Sequence, residues 1–338
     1  MKKEIKLIGK DCMSLMEAIQ FKNLNCNFSE NVKELKNSNN IVILGNFDGV
    51  HRGHSTIFKN AVSKAKEKNY KTVVYTFKEY PQKKENRITT PSEKVLLIDN
   101  FNIDYIYLEE FEDVKDYTQE EFVEKILINT LNAKEIYCGF NFTFGKNKSG
   151  NIKTLDNIIK DRHDGSIVLN IQSPVLDSEN SIISSTRIRN YIEKADFSKI
   201  KELSGHNLLI MGEVVHGRKL GRTLGFPTAN LKFQNKVYPN FGVYGVYVQI
   251  EGDDEVYHGV MNIGKNPTIE ESGLTIETHI FDFDREIYGK VIKIEVLEKI
   301  SDEIKLNSIS ELIEKIDNDA EIWRKRIKDK YYDTSKNR

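Results

Sequence analysis

The sequence predicts two domains of different class: a doubly wound, Rossmann-like α/β domain, then a small antiparallel β-barrel followed by a terminal helix. Three observations carry this. From residue 41 onward, short apolar runs alternate with amphipathic stretches. Beyond about residue 205, alternating strands succeed one another through turns with no helical period between them. At 338 residues the chain also exceeds one average domain.

In the first region, Ile41 to Leu44, Thr72 to Phe77, Tyr105 to Leu108, Glu135 to Cys138 and Ile167 to Ile171 read as buried parallel strands. Ile57, Phe58, Ala61, Val62 and Ala65 mark an intervening helix, and Thr118-Gln119-Glu120-Glu121 is a capping box that announces another. In the second region, Val243 to Ile250, a turn at Glu251-Gly252-Asp253-Asp254, and Val256 to Ile263 form a hairpin. Thr275 to Phe283 and Lys290 to Leu297 continue the pattern through a turn near Asp284-Arg285, giving about five strands. The last helix opens at Ser308-Ile309-Ser310-Glu311 and is expected to bury Leu312, Ile313, Ile316 and Trp323 on one face. The domains are expected at 1–195 and 205–338, with Asp196 to Gly205 as the linker. The first 40 residues carry no readable chemistry.

Composition narrows the function classes. Charged residues make up 30% of the chain yet nearly cancel, at a formal net charge of -1, which argues against nucleic-acid binding through an overall field. Cys12, Cys26 and Cys138 are an odd number without a C-x-x-C pair, as suits a reducing compartment. No run approaches the roughly 20 apolar residues of a membrane span. The expectation is a cytoplasmic protein acting on small molecules, with no membrane and no obligate protein partner evident.

The first chemical constellation follows strand Ile41 to Leu44 directly: Gly45-Asn46-Phe47-Asp48-Gly49-Val50-His51-Arg52-Gly53-His54. In a doubly wound sheet, a strand's carboxyl end feeding a helix N-terminus is where anions bind. Glycines 45, 49 and 53 let backbone N–H groups approach a phosphate. His51 and His54, three residues apart on the first turn, can donate to phosphate oxygens as negative charge builds on an α-phosphate. Metal ligation or simple helix capping are the competing roles. Gly139-Phe140-Asn141-Phe142-Thr143-Phe144-Gly145 and Ile183-Ser184-Ser185-Thr186-Arg187-Ile188-Arg189 each follow a strand of the same sheet. Ser184 or Ser185 is an ordinary N-cap taken alone, while Arg189, one turn in, can aim a permanent charge at a triphosphate.

The second constellation opens the barrel region. Gly217, Gly221 and Gly225 are interleaved with Arg218, Lys219 and Arg222, a loop able to fold over polyphosphate, although no Walker spacing is present. Thr228 and Asn230, two apart in an extended segment, offer oxygen ligands to Mg²⁺ from one side. A glycine-rich hairpin with solvated charges is the default for such a composition. Downstream, Thr275, Glu277 and His279 share one strand face, and Ile276, Thr278 and Ile280 the other. A strand carboxylate there can serve as the base for an alcohol attacking ATP, although an exposed glutamate without a role is the commoner case.

The segments GNFDGVHRGH, GFNFTFGKNKSG, ISSTRIR, GRTLGFPTANL and ETHIFDF, in that order, resemble the prokaryotic bifunctional riboflavin kinase/FAD synthetase family from about Ile41 to the C-terminal helix. The resemblance implies an N-terminal FMN adenylyltransferase domain of the nucleotidyltransferase α/β type and a C-terminal flavokinase barrel. It implies ATP and Mg²⁺ as requirements, with riboflavin, FMN and FAD as substrates and products. It places Gly45, Phe47, Asp48, Gly53, Asn141, Ser184, Ser185, Thr186 and Arg189 around ATP in the adenylylation pocket, with His51 and His54 on the phosphates. In the kinase it places Gly217, Lys219, Gly221, Gly225, Thr228 and Asn230 around ATP, gives Mg²⁺ to Thr228 and Asn230, and makes Glu277 the base for the ribityl 5′-hydroxyl. The chain departs from the family pattern at Lys78-Glu79-Tyr80-Pro81, where an acidic-Pro-His-Pro segment is common, and at Ser301, where an arginine is common. A chain with only one of the two activities, a flavin- or nucleotide-binding regulator, and an adenylyltransferase for another phosphate monoester are the competing readings.

Overall fold

A computed structural model describes residues 5–10, 15, 21, 24–79, 87–163, 166–217, 225–265, 274–304 and 308–331. The chain divides into two compact units, Met1–Ser185 and Thr186–Arg338.

In order, the first unit contains β1 (Ile5–Ile8), β2 (Leu24–Asn25), α1 (Phe28–Asn37), β3 (Asn40–Leu44), α2 (Arg52–Lys68), β4 (Lys71–Phe77), α3 (Pro91–Asp99) and β5 (Tyr105–Glu109). Short helical turns at Phe111–Val114 and Gln119–Glu121, π-helical residues Phe122–Thr130, β6 (Ala133–Gly139), the short pair β7 (Thr143–Phe144) and β8 (Gly150–Asn151) around a 3-10 turn at Lys146–Lys148, α4 (Ile152–His163) and β9 (Val168–Gln172) follow. Seven strands form one sheet in the order β2-β1-β5-β4-β3-β6-β9, every neighbouring pair parallel. All five expected strands are present and parallel, but the last is not buried as expected: β9 is an edge strand, with Val168 and Ile171 exposed.

The run Ile41-Val42-Ile43 explains the centre of this sheet. Three β-branched residues in succession suit a strand buried on both faces, and each is fully buried. α2 lays Ile57, Phe58, Ala61 and Ala65 on the sheet, each large apolar side chain stabilising the fold by roughly 1.5–3 kcal/mol on burial. Val62, expected on the same face, is half-buried. Thr118 caps its helix in the expected reciprocal box with Glu121.

The first 40 residues do contribute structure. β1 adds beside β5, and Leu7 and Ile8 are fully buried. Lys6, which breaks the apolar run in the sequence, reaches Glu34 on α1 in an ion pair.

The second unit holds most of α5 (Ser185–Glu193), then α6 (Phe197–Ser204), β10 (Leu208–Val215), β11 (Ala229–Leu231), β12 (Gly242–Ile250), β13 (Val256–Lys265), β14 (Leu274–Ile280), β15 (Val291–Asp302) and α7 (Ile309–Arg326). Six antiparallel strands close into a barrel in the order β10-β11-β14-β13-β12-β15. The sixth is β11, three residues inside the glycine-rich segment.

Three expectations are corrected. Asp196 to Gly205 is a capped helix, not a linker: the Asp196 carboxylate accepts from Lys199 N–H at 3.0 Å, Gly205 ends the helix in left-handed conformation, and Phe197, Ile200 and Leu203 are buried. β14 stops at Ile280 rather than Phe283, because Asp282 takes φ 57° and turns the chain out of the sheet. On α7, Ile313 and Ile316 are only half-buried, since the buried face shifts to Asp319, Ala320 and Trp323. The side chain of Leu312, like Cys12 as a whole, lies outside the described residues.

Trp323 is fully buried in a cluster with Tyr247, Val260, Phe281, Leu297 and Ala320. Its indole lies over the backbone of β12 at Gly245, where an added Cβ would stand 2.5 Å from the ring. Gly245→Ala is therefore expected to displace the ring and destabilise the barrel by about 1–3 kcal/mol, read as a lower urea midpoint in circular dichroism. An unchanged midpoint would contradict this packing.

Candidate active sites

β4 and β5 are laid down on one side of β3, and β6 then returns to its other side, so the order reverses between β3 and β6. The carboxyl ends of these two strands, paired at Leu44 and Cys138, form the crevice in which such sheets bind ligands. The chain leaves β3 through Gly45 to His51 in an unusual backbone. Phe47 (φ 50°), Gly49 (φ 76°) and Val50 (φ 39°) all occupy the left-handed region. For non-glycine residues that costs on the order of 1 kcal/mol or more each, and persists only where the surroundings impose it.

The surroundings can be named. Phe47 is buried, its ring 4.8 Å from Phe58 and edge-on to His54 at 5.2 Å. Gly45 makes room for that ring, which would lie 2.7 Å from any Cβ at this position. The buried Asp48 carboxylate accepts from Ile88 N–H at 2.9 Å, Thr89 N–H at 3.1 Å and the Thr89 hydroxyl at 3.3 Å. Its carbonyl accepts from the Ser185 hydroxyl at 2.8 Å. Asp48, expected around ATP, thus spends its side chain fastening the loop to the segment ahead of α3.

His51 is the N-cap of α2, its Nδ1 accepting from His54 N–H at 3.4 Å, so the capping role weighed from sequence is realised. With Nδ1 as acceptor, the ring proton of the neutral form sits on Nε2, which remains a donor. The two imidazoles stack, centroids 3.6 Å apart and planes 17° apart, with Gly53 leaving space for the His51 ring. His54 has its pKa held well below the ordinary value, first by burial and then by the charges of His51 and Lys94, so it is neutral near pH 7. Its Nδ1 is buried without a hydrogen-bond partner. Among the described residues no group of three or more His, Cys, Asp or Glu side chains is placed to hold a metal ion.

At the end of β6, the exposed Asn141 folds its side-chain carbonyl back over Gly139, 3.4 Å from where a Cβ would be. Phe144, in contrast, is a core residue against Phe122, and Gly150 admits its ring. Ser184 and Ser185 are half-buried at the start of α5; Thr186 is exposed and Arg189 half-buried further along it, in the second unit.

The barrel gathers the second set. β11 pairs antiparallel with β14 so that Asn230 lies opposite Glu277, and β14 pairs with β13 so that Asn262 lies opposite Glu277 on the other side. A carboxylate flanked across both ladders by side-chain amides shares one face with them. The Thr228 hydroxyl donates to Glu277 Oε2 at 3.4 Å. Asn230 packs its amide on Gly217, where a Cβ would lie 2.4 Å from Nδ2. The faces of β14 match expectation: Ile276, Thr278 and Ile280 are buried, Thr275, Glu277 and His279 are not. His279 Nδ1–H donates to the carbonyl of Pro227 at 2.9 Å and steadies the segment leading to Thr228. Gly225, at φ 88°, borders the loop. Lys219 and Gly221 lie outside the described residues. Ser301 belongs elsewhere, in a half-buried network with Lys315 and Asp319.

Two sites of different chemistry, each on its own fold, define a two-domain transferase. A family model described as FAD synthetase matches residues 33–187, and one described as riboflavin kinase matches residues 204–327. A bifunctional riboflavin kinase/FMN adenylyltransferase of Haemophilus influenzae is 34% identical over 302 residues, 86% of this chain and 96% of the relative. One from Bacillus subtilis is 35% identical over 302 residues, 86% and 93% respectively. A solved structure described as a macrolide-efflux protein from Streptococcus pneumoniae is 33% identical with TM-score 0.72, covering 85% of this chain and 94% of that one. The chain belongs to the bifunctional riboflavin kinase/FMN adenylyltransferase family, and it carries both enzymatic domains. No helix among the described residues is long and apolar enough to cross a membrane.

The lowered pKa of His54 has a measurable sign. The unfolded chain binds the proton more readily, so this group's contribution to stability is full above about pH 6.5 and is lost as pH falls below it. In NMR, the His54 imidazole is expected to titrate well below the ordinary histidine value of about 6.5; a midpoint near 6.5 would refute its burial as a neutral ring.

Proposed function

We propose that FMN is made at the Thr228, Asn230 and Glu277 face of the barrel and converted to FAD at the Gly45 to His54 loop, with ATP the donor at both. The observation that supports this is that each fold brings together part of its expected set: stacked imidazoles at the sheet's reversal point, and, in the barrel, Glu277 beside Thr228 and opposite Asn230, with Asn262 as an unexpected second neighbour. The adenylyltransferase is assigned to residues 1–195 and the kinase to 205–338. The place of work is taken to be the cytoplasm.

At the barrel, Glu277 accepts the proton of the ribityl 5′-hydroxyl as that oxygen attacks the terminal phosphorus of ATP, and ADP leaves. The hard oxygens of Thr228 and Asn230 are of the kind that would hold Mg²⁺, and the missing Cβ at Gly217 leaves room for the Asn230 amide. When bound with ATP, Mg²⁺ neutralises phosphate charge. Thr228, hydrogen-bonded to Glu277, links nucleotide binding to the position of the base.

At the loop, the phosphate of FMN is already ionised and needs no base. Its oxygen attacks the α-phosphorus of ATP and pyrophosphate leaves. The Nε2–H of His51, the neutral ring of His54 and the N-terminus of α2 meet the charge that builds on the phosphate oxygens. Asn141 and Ser184 border the nucleotide, while Asp48 and Ser185 hold the loop in shape.

Glu277→Ala is expected to lower FMN formation from riboflavin by roughly 10²-fold or more while supplied FMN still yields FAD. His54→Ala is expected to do the reverse, by roughly 10²-fold in FAD formation. Products are separated by chromatography after incubation with ATP and Mg²⁺. A folded variant that loses both activities would refute the two-site assignment.

A further inference from the structure

Lys94 stands on the first turn of α3, just after the reciprocal cap between Thr90 and Glu93. Its side chain is buried, and its ammonium donates to the Asn46 carbonyl at 3.4 Å, to the Thr76 hydroxyl at 3.4 Å and to the Phe77 carbonyl. All three acceptors are uncharged, and they belong to the carboxyl ends of β3 and β4. The cation therefore ties two strand ends together beneath the Gly45 to His54 loop. Beside it, Asn46 Oδ1 and His54 Nδ1 are buried without hydrogen-bond partners.

A buried ammonium whose direct acceptors are all neutral is costly to desolvate, and three hydrogen bonds to uncharged groups offset that cost only in part. Burial pulls the Lys94 pKa down to about 8; Asp48 in the loop and Glu79 after β4 resist that fall, and Arg87 ahead of α3 adds to it. His54 on α2 feels the same charge, which helps to keep it neutral. A buried cation thus lies under the loop, among Asp48, Glu79 and Arg87, and near two buried polar atoms without hydrogen-bond partners.

We propose that Lys94 is a positioning residue for adenylyl transfer, pinning the Asn46 carbonyl and so the phosphate loop, and lending the ATP site a charge that bound polyphosphate holds in place. This rests on the ATP assignment made for that loop. The sign follows from linkage: polyphosphate favours the protonated lysine, so protonation favours ATP, and affinity falls as pH rises through about 8.

The test measures FAD formation from supplied FMN with ATP varied, between about pH 7 and about pH 9.5. In the wild type the apparent KM for ATP is expected to rise roughly tenfold across this window, with kcat changing by less than about twofold. In Lys94→Met the KM is high and level throughout; in Lys94→Arg, whose cation does not titrate in this range, it stays low and level. Far-UV circular dichroism and urea unfolding of the same preparations report whether the first unit, which carries Lys94, is folded. A pH-dependent KM that survives in Lys94→Met overturns the proposal, as does a wild-type KM for ATP in that variant. Should neither variant fold, a wild-type KM that stays level with pH overturns it alone. The two levels of inference separate cleanly: an intact FAD synthesis in His54→Ala removes the ATP assignment, whereas its loss together with a pH-independent wild-type KM removes only the role of Lys94.

Discussion

The backbone between β3 and α2 is the constraint on which the first site depends. Left to itself, a segment with Phe47 and Val50 in left-handed conformation would relax. Asp48 prevents this from within, by spreading one carboxylate over the amides of Ile88 and Thr89. Phe47 prevents it from the core side, wedged between His54 and Phe58. A loop held on two sides keeps its shape and the stacking of its two imidazoles without a ligand, the kind of preorganisation that electrostatic catalysis requires. The residues that look most chemical in the sequence are therefore divided: Asp48 shapes the loop, while the two imidazoles are the groups proposed to meet the substrate.

The barrel solves a similar problem by register. Glu277 is placed by two ladders at once, with Asn230 opposite on β11 and Asn262 opposite on β13. A slip of one residue on either side would turn those amides to the other face and leave the carboxylate without them. The alternation along β14 makes such a slip expensive, because Ile276, Thr278 and Ile280 would exchange their buried positions for exposed ones. Packing of the barrel interior and geometry of the outward site are thus one property.

Much of this was legible in the sequence, and the remainder was hidden for physical reasons. The five central strands of the sheet and the two faces of β14 follow from local periodicity, which residue type encodes directly. β1 did not, since it is four residues long, carries Lys6, and finds its partner on β5 about a hundred residues later. β11 was obscured by the glycines around it. At the first site, Gly45, His51, His54 and the neighbourhood of Asn141 were visible because glycine and histidine between a strand and a helix are chemically suggestive. The anchoring of Asp48 depends on amides 40 and 41 residues away, and no local pattern reports such a bond. Lys94 is the extreme case: within Pro91-Ser92-Glu93-Lys94 it reads as a solvated lysine near a helix start, and tertiary packing alone buries it.

The sole tryptophan of the chain is Trp323, enclosed by barrel residues and lying across Gly245. Intrinsic indole fluorescence is consequently a private reporter: an emission change registers melting of the second unit and is silent about the first. Because flavins absorb where indole emits, a flavin held at the barrel would also drain that emission by energy transfer, giving the protein an optical readout of kinase-site occupancy without any label.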